Sequence, residues 1–261
     1  GYRPIYHFTR SSNKNVKIFT IQHGNANTNL IYNLSDKSEF TTNFINTGKT
    51  YSPCPDVYFT HGPQFNKILN SYFKSSKIIG PLKYDNNLVL KKRNNFFKAK
   101  RERKKNILIC PSIGDHEIIL NFLKFSVNDK HNFFLSPHPV YSKYVNEYLV
   151  TLKKNCKIFY SKNKTTNELL KKTDLVICGF STIAQEAAIL GIPSIRLLNL
   201  EKPFFHDIQD RIKIVSDAKI LKSILNKENF NIFLGNKKLI EKKFYNKLDN
   251  KAFMRFEQFL K

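Results

Sequence analysis

DLVICGFSTIAQEAAILGIPSIRL, residues Asp174 to Leu197, decides the fold. It opens on Leu175-Val176-Ile177-Cys178, a run too short for a helix and β-branched enough for a buried parallel strand. Gly179 permits a sharp turn. Ser181 and Thr182 stand where a helix would start, and Thr182 with Gln185 has the spacing of a capping box. Ile183, Ala184, Ala187, Ala188 and Leu190 follow at helical spacing. Gly191 and Pro193 end that helix, and Ser194 to Leu197 reads as the next strand. The unit is therefore strand, turn, helix, strand. Small polar residues at such a turn, with free backbone N–H groups and the helix dipole, suit an anion, usually a phosphate. An ordinary βαβ unit whose Ser and Thr merely cap the helix fits the same pattern.

The same alternation extends on both sides. Downstream, Ile212 to Val215 is a strand and Asp217 to Leu225 a helix. The tail from Lys237 to Lys261 alternates apolar and basic residues as one or two amphipathic helices. Upstream, Ile107 to Cys110, Asn132 to Leu135 and Lys157 to Tyr160 read as strands. Helices are expected at Ile118 to Phe125, Tyr144 to Lys153 and Thr166 to Lys172. Earlier still come short strands at Val16 to Gln22, Val57 to Thr60 and Lys77 to Ile79, and a helix from Gln64 to Tyr72. Residues 25–50 are rich in Asn, Thr and Ser and read as a loop. The alternation predicts α/β architecture with parallel, doubly wound sheets.

Between residues 83 and 105 the apolar periodicity is lost and Asn and Lys dominate, as in an interdomain linker. The expected divisions are 1–92, an N-terminal α/β domain with the start of the linker; 93–236, a second α/β domain; and 237–261, C-terminal amphipathic helices. The first residue is Gly rather than Met, so an upstream part is expected to be missing.

The 261 residues carry 44 Lys+Arg against 20 Asp+Glu, a formal charge of +24. Nucleic acid, an anionic membrane surface and phosphorylated substrates are the partner classes this charge suits. Composition offers a plainer source: Lys, Asn, Ile and Phe abound and Trp is absent, as an AT-rich coding sequence would give. The basic residues are spread along the chain, densest at Lys98 to Lys105, which argues against a specific nucleic-acid site. No run approaches the ~18 apolar residues of a membrane helix. The four cysteines form no CxxC pair, which fits a reducing cytosol, and no cluster has zinc spacing.

In a parallel sheet the loops after the strands share one rim, where ligands bind. Three loops fall there: Ser112 to Glu117 with Gly114, Ser136 to Pro139, and Gly179 to Thr182. His138 is the sharpest candidate, because Pro137 and Pro139 restrict the backbone on both sides and preset the imidazole. Glu186, one helical turn past the Ser-Thr pair, could accept from a ribose hydroxyl or be an exposed helix Glu. In the first domain, His23 ends a strand beside Gly24 and could serve as a base, a phosphate ligand or a substrate contact.

The order Gln22-His23-Gly24, Gly80-Pro81, Ser136-Pro137-His138-Pro139, Gly179-Phe180-Ser181-Thr182 with Glu186-Ala187, then Gly191-Ile192-Pro193-Ser194, resembles GT-B fold glycosyltransferases of bacterial surface polysaccharide synthesis. The His-Pro motif followed by Ser/Thr is similar to enzymes with cytidine-nucleotide donors: sialyltransferases, capsule Kdo transferases and CDP-glycerol glycerophosphotransferases. The resemblance spans about residues 16–200. It implies two Rossmann-like parallel-sheet domains, the first incomplete here, and a metal-independent, cofactor-free transferase acting on a glycan or lipid-linked acceptor in capsule or lipopolysaccharide synthesis. It assigns donor-phosphate contacts to His138, Ser181 and Thr182, which makes 93–236 the nucleotide-sugar-binding Rossmann-like domain; the reading of the rim adds Ser112, Gly114, Pro139, Gly179 and Glu186 as donor-nucleotide residues. Sialyltransferases of this type carry an acidic pair followed by Gly as base motif, which this sequence does not have. Asp115 and Glu117 near Gly114 stand in another order and in the second domain, so His23 is the candidate catalytic base. The expected location is cytoplasmic, peripheral on the anionic inner face of the membrane. A sugar-nucleotide epimerase or UDP-sugar transferase of the same fold, a basic nucleic-acid-binding protein and an inactive scaffold are the competing readings.

Overall fold

The structure, a computed structural model, describes residues 12, 15–22, 56–70, 75–82, 104–112, 114–198, 210–227 and 229–260. His23, Cys54, the Asn-rich loop and nearly all of the basic linker lie outside the described residues. The chain divides into two compact units, Gly1–Leu88 with Glu241–Lys261, and Val89–Ile240.

The first unit holds a three-stranded parallel sheet of β1 (Phe19–Ile21), β2 (Val57–Thr60) and β3 (Ser76–Ile78), in that order, with helix α1 (Pro63–Asn70) after β2. Its core is aromatic. Phe59 meets Phe256 edge-on at 5.0 Å, and Phe65 meets Phe244 at 5.7 Å. Gln22 is buried, its side-chain carbonyl accepting the His61 N–H at 2.8 Å. The C-terminal residues thus complete this unit. Arg255 donates to the Ile79 carbonyl at 2.7 Å and makes a bidentate pair with Asp249 at 3.0 Å.

The second unit is a six-stranded, wholly parallel sheet. In chain order its strands are β4 (Lys105–Cys110), β5 (His131–Leu135), β6 (Lys157–Tyr160), β7 (Leu175–Cys178), β8 (Ser194–Leu197) and β9 (Lys213–Val215). In space they run β6-β5-β4-β7-β8-β9. The order reverses between β4 and β7, the topological switch point of a Rossmann-type sheet. Between the strands lie α2 (His116–Ser126), α3 (Val145–Leu152), α4 (Thr166–Leu170) and α5 (Ile183–Ile189), and α6 (Ala218–Leu225) follows β9. α7 (Lys237–Ile240) closes the unit. A π turn (Glu241–Tyr245) and α8 (Ala252–Leu260) belong to the first unit.

Burial of both faces explains the continuous apolar strands. On β4, Ile107 and Ile109 enter the main core, while Leu108 is equally buried on the other side. Strands 157–160, 175–178 and 194–197 match the expected spans. β4 starts two residues earlier than expected, because polar residues extend its ladder: Asn106 N–H donates to the Asp174 carboxylate at 2.8 Å, and Asp174 N–H to the Asn106 carbonyl at 2.7 Å. A 3₁₀ turn over Pro139–Tyr144, which the sequence did not indicate, precedes α3. α4 carries the reciprocal capping box, with Thr165 and Glu168.

Two features of this core are electrostatic. His131 is buried. Its Nε2 donates to the Leu225 carbonyl at 2.5 Å, its Nδ1 has no hydrogen-bond partner among the described residues, and burial holds its pKa below the usual value. Cys110 and Cys178 face each other in register on β4 and β7 as free thiols, and burial pushes the Cys178 thiol up to about 12. They behave as small apolar side chains.

Candidate functional site at the switch point

The loops after β4, β5 and β7 meet at the carboxyl rim of the second sheet and are tied together. His138 N–H donates to the Pro111 carbonyl at 2.9 Å, and Ser136 N–H to the Ile109 carbonyl at 2.8 Å. Ser136 and Thr166 hydroxyls lie 2.8 Å apart, which brings the start of α4 to the same rim. Ser112, His138, Ser181 and Thr182 are all half-buried here. Gly114 has φ +84° and is exposed. It supplies the left-handed backbone that turns β4 towards α2. Pro139 begins the 3₁₀ turn.

Asp115 joins the β4 and β7 loops. It is fully buried, and its two carboxylate oxygens accept the Ser112 N–H at 2.6 Å and the Phe180 N–H at 2.7 Å. Burial raises its pKa from the usual 3.8 to about 6, opposed by those two N–H bonds and by the charges of Arg196 and His116. Gly179 is required for this approach rather than for its φ. A Cβ there would sit 2.7 Å from Asp115 Cβ and Cγ.

Arg196 grips the same turn through its carbonyls. Projecting from β8 with no exposed surface, it donates to the Gly179 carbonyl and to the Ser181 carbonyl at 3.1 Å. Its Nε and Nη2 donate to Asp210 Oδ2 at 3.2 and 2.6 Å, and Gln185 Nε2 reaches that same oxygen at 3.3 Å. The Gly179–Ser181 turn is thus held by a carboxylate at its N–H group and by a guanidinium at its carbonyls.

Three expectations change. The Thr182–Gln185 capping box does not form. Thr182 is in helical conformation without a side-chain cap, Gln185 turns to Asp210, and Ser181 Oγ accepts the Ile183 N–H at 3.3 Å instead. Glu186 is not an exposed helix residue. It is 7% exposed and accepts from the Thr182 hydroxyl at 3.2 Å. Two of the backbone N–H groups expected to meet an anion, those of Ser112 and Phe180, are occupied by Asp115. Those of Ser181 and Thr182 are left to do so.

Sequence reading missed Arg196 and Asp210, and weighed Asp115 only as a base, not as the tie between two loops. A charged Arg inside the otherwise apolar SIRL strand was the available signal, since a buried cation demands a partner. Among the described residues no group of three or more His, Cys, Asp or Glu could hold a metal, and no helix is long and apolar enough to cross a membrane. A cavity of about 290 Å³ lies elsewhere in the second unit, between Phe134 and Leu169, with Lys164, Lys171 and Lys172 on its wall.

No family model matches the sequence, and no curated protein matches it. Solved structures do. The wall teichoic acid polymerase TagF soaked with CDPG is similar, with TM-score 0.54 and 16% identity over 78% of this chain and 55% of that one. The UDP-GlcNAc 2-epimerase from Neisseria meningitidis bound to UDP-GlcNAc gives TM-score 0.58 and 14% identity over 97% of this chain and 72% of that one. S. aureus MnaA with UDP gives 0.56 and 12% over 99% and 78%. The chain spans a little over half the length of that TagF chain. At such identities the likeness is one of fold, and it agrees with the two parallel sheets and with the resemblance read from the sequence. This chain has a GT-B-like fold.

Proposed function

We propose that this chain is a nucleotide-sugar transferase of surface polysaccharide synthesis, moving a sugar from a CMP- or CDP-linked donor to a glycan or lipid-linked acceptor. One observation carries the reading: the loops that bear His138 and Ser181-Thr182 are both tied to the β4 loop on the carboxyl rim at the switch point, where sheets of this order bind nucleotides. The similar TagF structure, soaked with CDPG, supports a cytidine donor.

In this reading the second unit holds the donor. Ser181 Oγ already accepts from the Ile183 N–H, so its own proton is directed to a phosphate oxygen. The Ser181 and Thr182 N–H groups and His138 add donors. Thr182 gives its hydroxyl proton to Glu186, so it contributes to the phosphate through its backbone, or through its hydroxyl once Glu186 turns to a ribose. These groups stabilise the charge that the departing nucleotide gains as its bond to the anomeric carbon breaks. The acceptor hydroxyl gives its proton to a base, for which His23 is the proposed residue, and its oxygen bonds to the anomeric carbon. The proposed setting is the cytoplasmic, anionic face of the membrane.

A second reading is a UDP-sugar epimerase. Its support is the similarity to the Neisseria meningitidis enzyme over 97% of this chain. A thermal-shift screen with CMP, CDP, UDP and GDP separates the two. Saturation at ~100 times Kd adds about 2.7 kcal/mol of stability. Selective stabilisation by cytidine nucleotides, lost in His138→Ala, supports the transferase. Selective stabilisation by UDP, with turnover of a UDP-sugar in the absence of acceptor, supports the epimerase. No shift with any nucleotide overturns both.

A further inference from the structure

The rim is less cationic than the chain's overall charge suggests. Beneath and beside the Gly179–Thr182 turn lie three buried carboxylates, Asp115, Glu186 and Asp210, and one buried guanidinium, Arg196, which pairs with Asp210. Asp210 is already bound to that guanidinium, and so is Gln185 to Asp210. Among the described residues no cation contacts Asp115 in this way. Its oxygens are satisfied by the Ser112 and Phe180 N–H groups, one from each loop flanking the switch point. Two amide donors converging from neighbouring loops are what a second phosphate would need. Here a side chain of the protein fills that position.

We propose that Asp115 is a specificity-determining residue, acting through the loops it joins: it occupies the paired amides at the switch point and limits the donor site to a single phosphate. The proposal rests on the nucleotide-donor reading given above. Two geometric observations support it, and the ionisation of the carboxyl agrees with them. The carboxylate has no exposed surface, so solvent does not screen it. Gly179 lets it approach the β7 loop more closely than any other residue would allow. Its pKa of about 6 leaves it ionised at neutral pH, where it repels a further phosphate charge. The Ser181 and Thr182 amides remain for one phosphate group. A nucleotide donor linked through one phosphate fits this site, and one linked through two, as in the CDPG soaked into TagF, places its second phosphate against Asp115.

The experiment is calorimetric titration of CMP and CDP into the wild-type chain and into Asp115→Asn at pH 7.5, with far-UV circular dichroism to establish folding. CMP should bind wild type about tenfold or more tighter than CDP, the scale of one buried like-charge contact. Asp115→Asn should erase the preference by gaining affinity for CDP, which a purely structural role would not do. CDP binding wild type as tightly as CMP overturns the proposal, even when the variant does not fold. A folded variant that keeps the wild-type preference overturns it as well. Wild type binding neither nucleotide, nor UDP, overturns the donor reading itself and this proposal with it.

Discussion

Replacing Arg196 with methionine removes the cation at the centre of the switch-point turn while filling most of its volume. Arg196 and Asp210 are 0% and 1% exposed, so neither exchanges its partner for water. The substitution strips Asp210 Oδ2 of two guanidinium donors, leaving it the Gln185 amide at 3.3 Å. It also takes the guanidinium donor from the carbonyls of Gly179 and Ser181, the latter keeping only the weak Cys178 S–H at 4.0 Å. Breaking one side of a buried pair costs about 3–5 kcal/mol, because the remaining charge stays buried and uncompensated. That is a large part of the ~5–15 kcal/mol stability of an ordinary domain. Urea denaturation followed by circular dichroism measures it. The double variant Arg196→Met/Asp210→Leu should recover much of the loss, since apolar replacement of both partners leaves no bare charge. A single-variant loss under about 1 kcal/mol, or a double variant losing the sum of the two singles, would refute the reasoning.

Two more predictions concern Asp115. Its folded pKa of about 6 lies above the unfolded value near 3.8, so the folded state binds the extra proton between those values. Its contribution therefore falls as pH rises from 4 to 6 and is level above that, by at most about 3 kcal/mol. The lowered pKa of His131 acts with the opposite sign, removing stability as pH falls below its unfolded value near 6.5. Only the difference between wild type and Asp115→Asn, measured by urea denaturation across pH 4–7, isolates the carboxyl; a difference independent of pH would contradict the assignment. Gly179→Ala should cost about 1–3 kcal/mol, because its methyl meets Asp115 carbons at 2.7 Å. Thermal denaturation reads this, and an unchanged midpoint would show that the turn does not need the glycine.

The parts of the fold that were legible in the sequence share one cause. Strands such as Leu175–Cys178 and Ser194–Leu197 are buried on both faces, so their apolar runs are uninterrupted and their ends sharp. Gathering His138 and Ser181 on one rim followed from parallel alternation alone. What stayed hidden was pairing at a distance. Asp115 reads as a loop acid until β4 and β7 are neighbours and its oxygens reach Phe180, 65 positions along the chain. Arg196 reads as an interruption until Asp210 comes beneath it. The Thr182–Gln185 spacing was correct for a cap, yet Gln185 found a buried carboxylate instead. Local spacing states which bonds a side chain can make, and tertiary neighbours decide which it does make.

The proposed function requires the switch-point turn of the second unit to hold a nucleotide phosphate. Titration of CMP into ¹⁵N-labelled protein, followed amide by amide, tests it most directly. Saturable shifts should be largest at Ser181, Thr182 and His138, with the Phe180 amide, already held by Asp115, moving less. Shifts confined to residues remote from these loops, or none at saturating CMP, would contradict it.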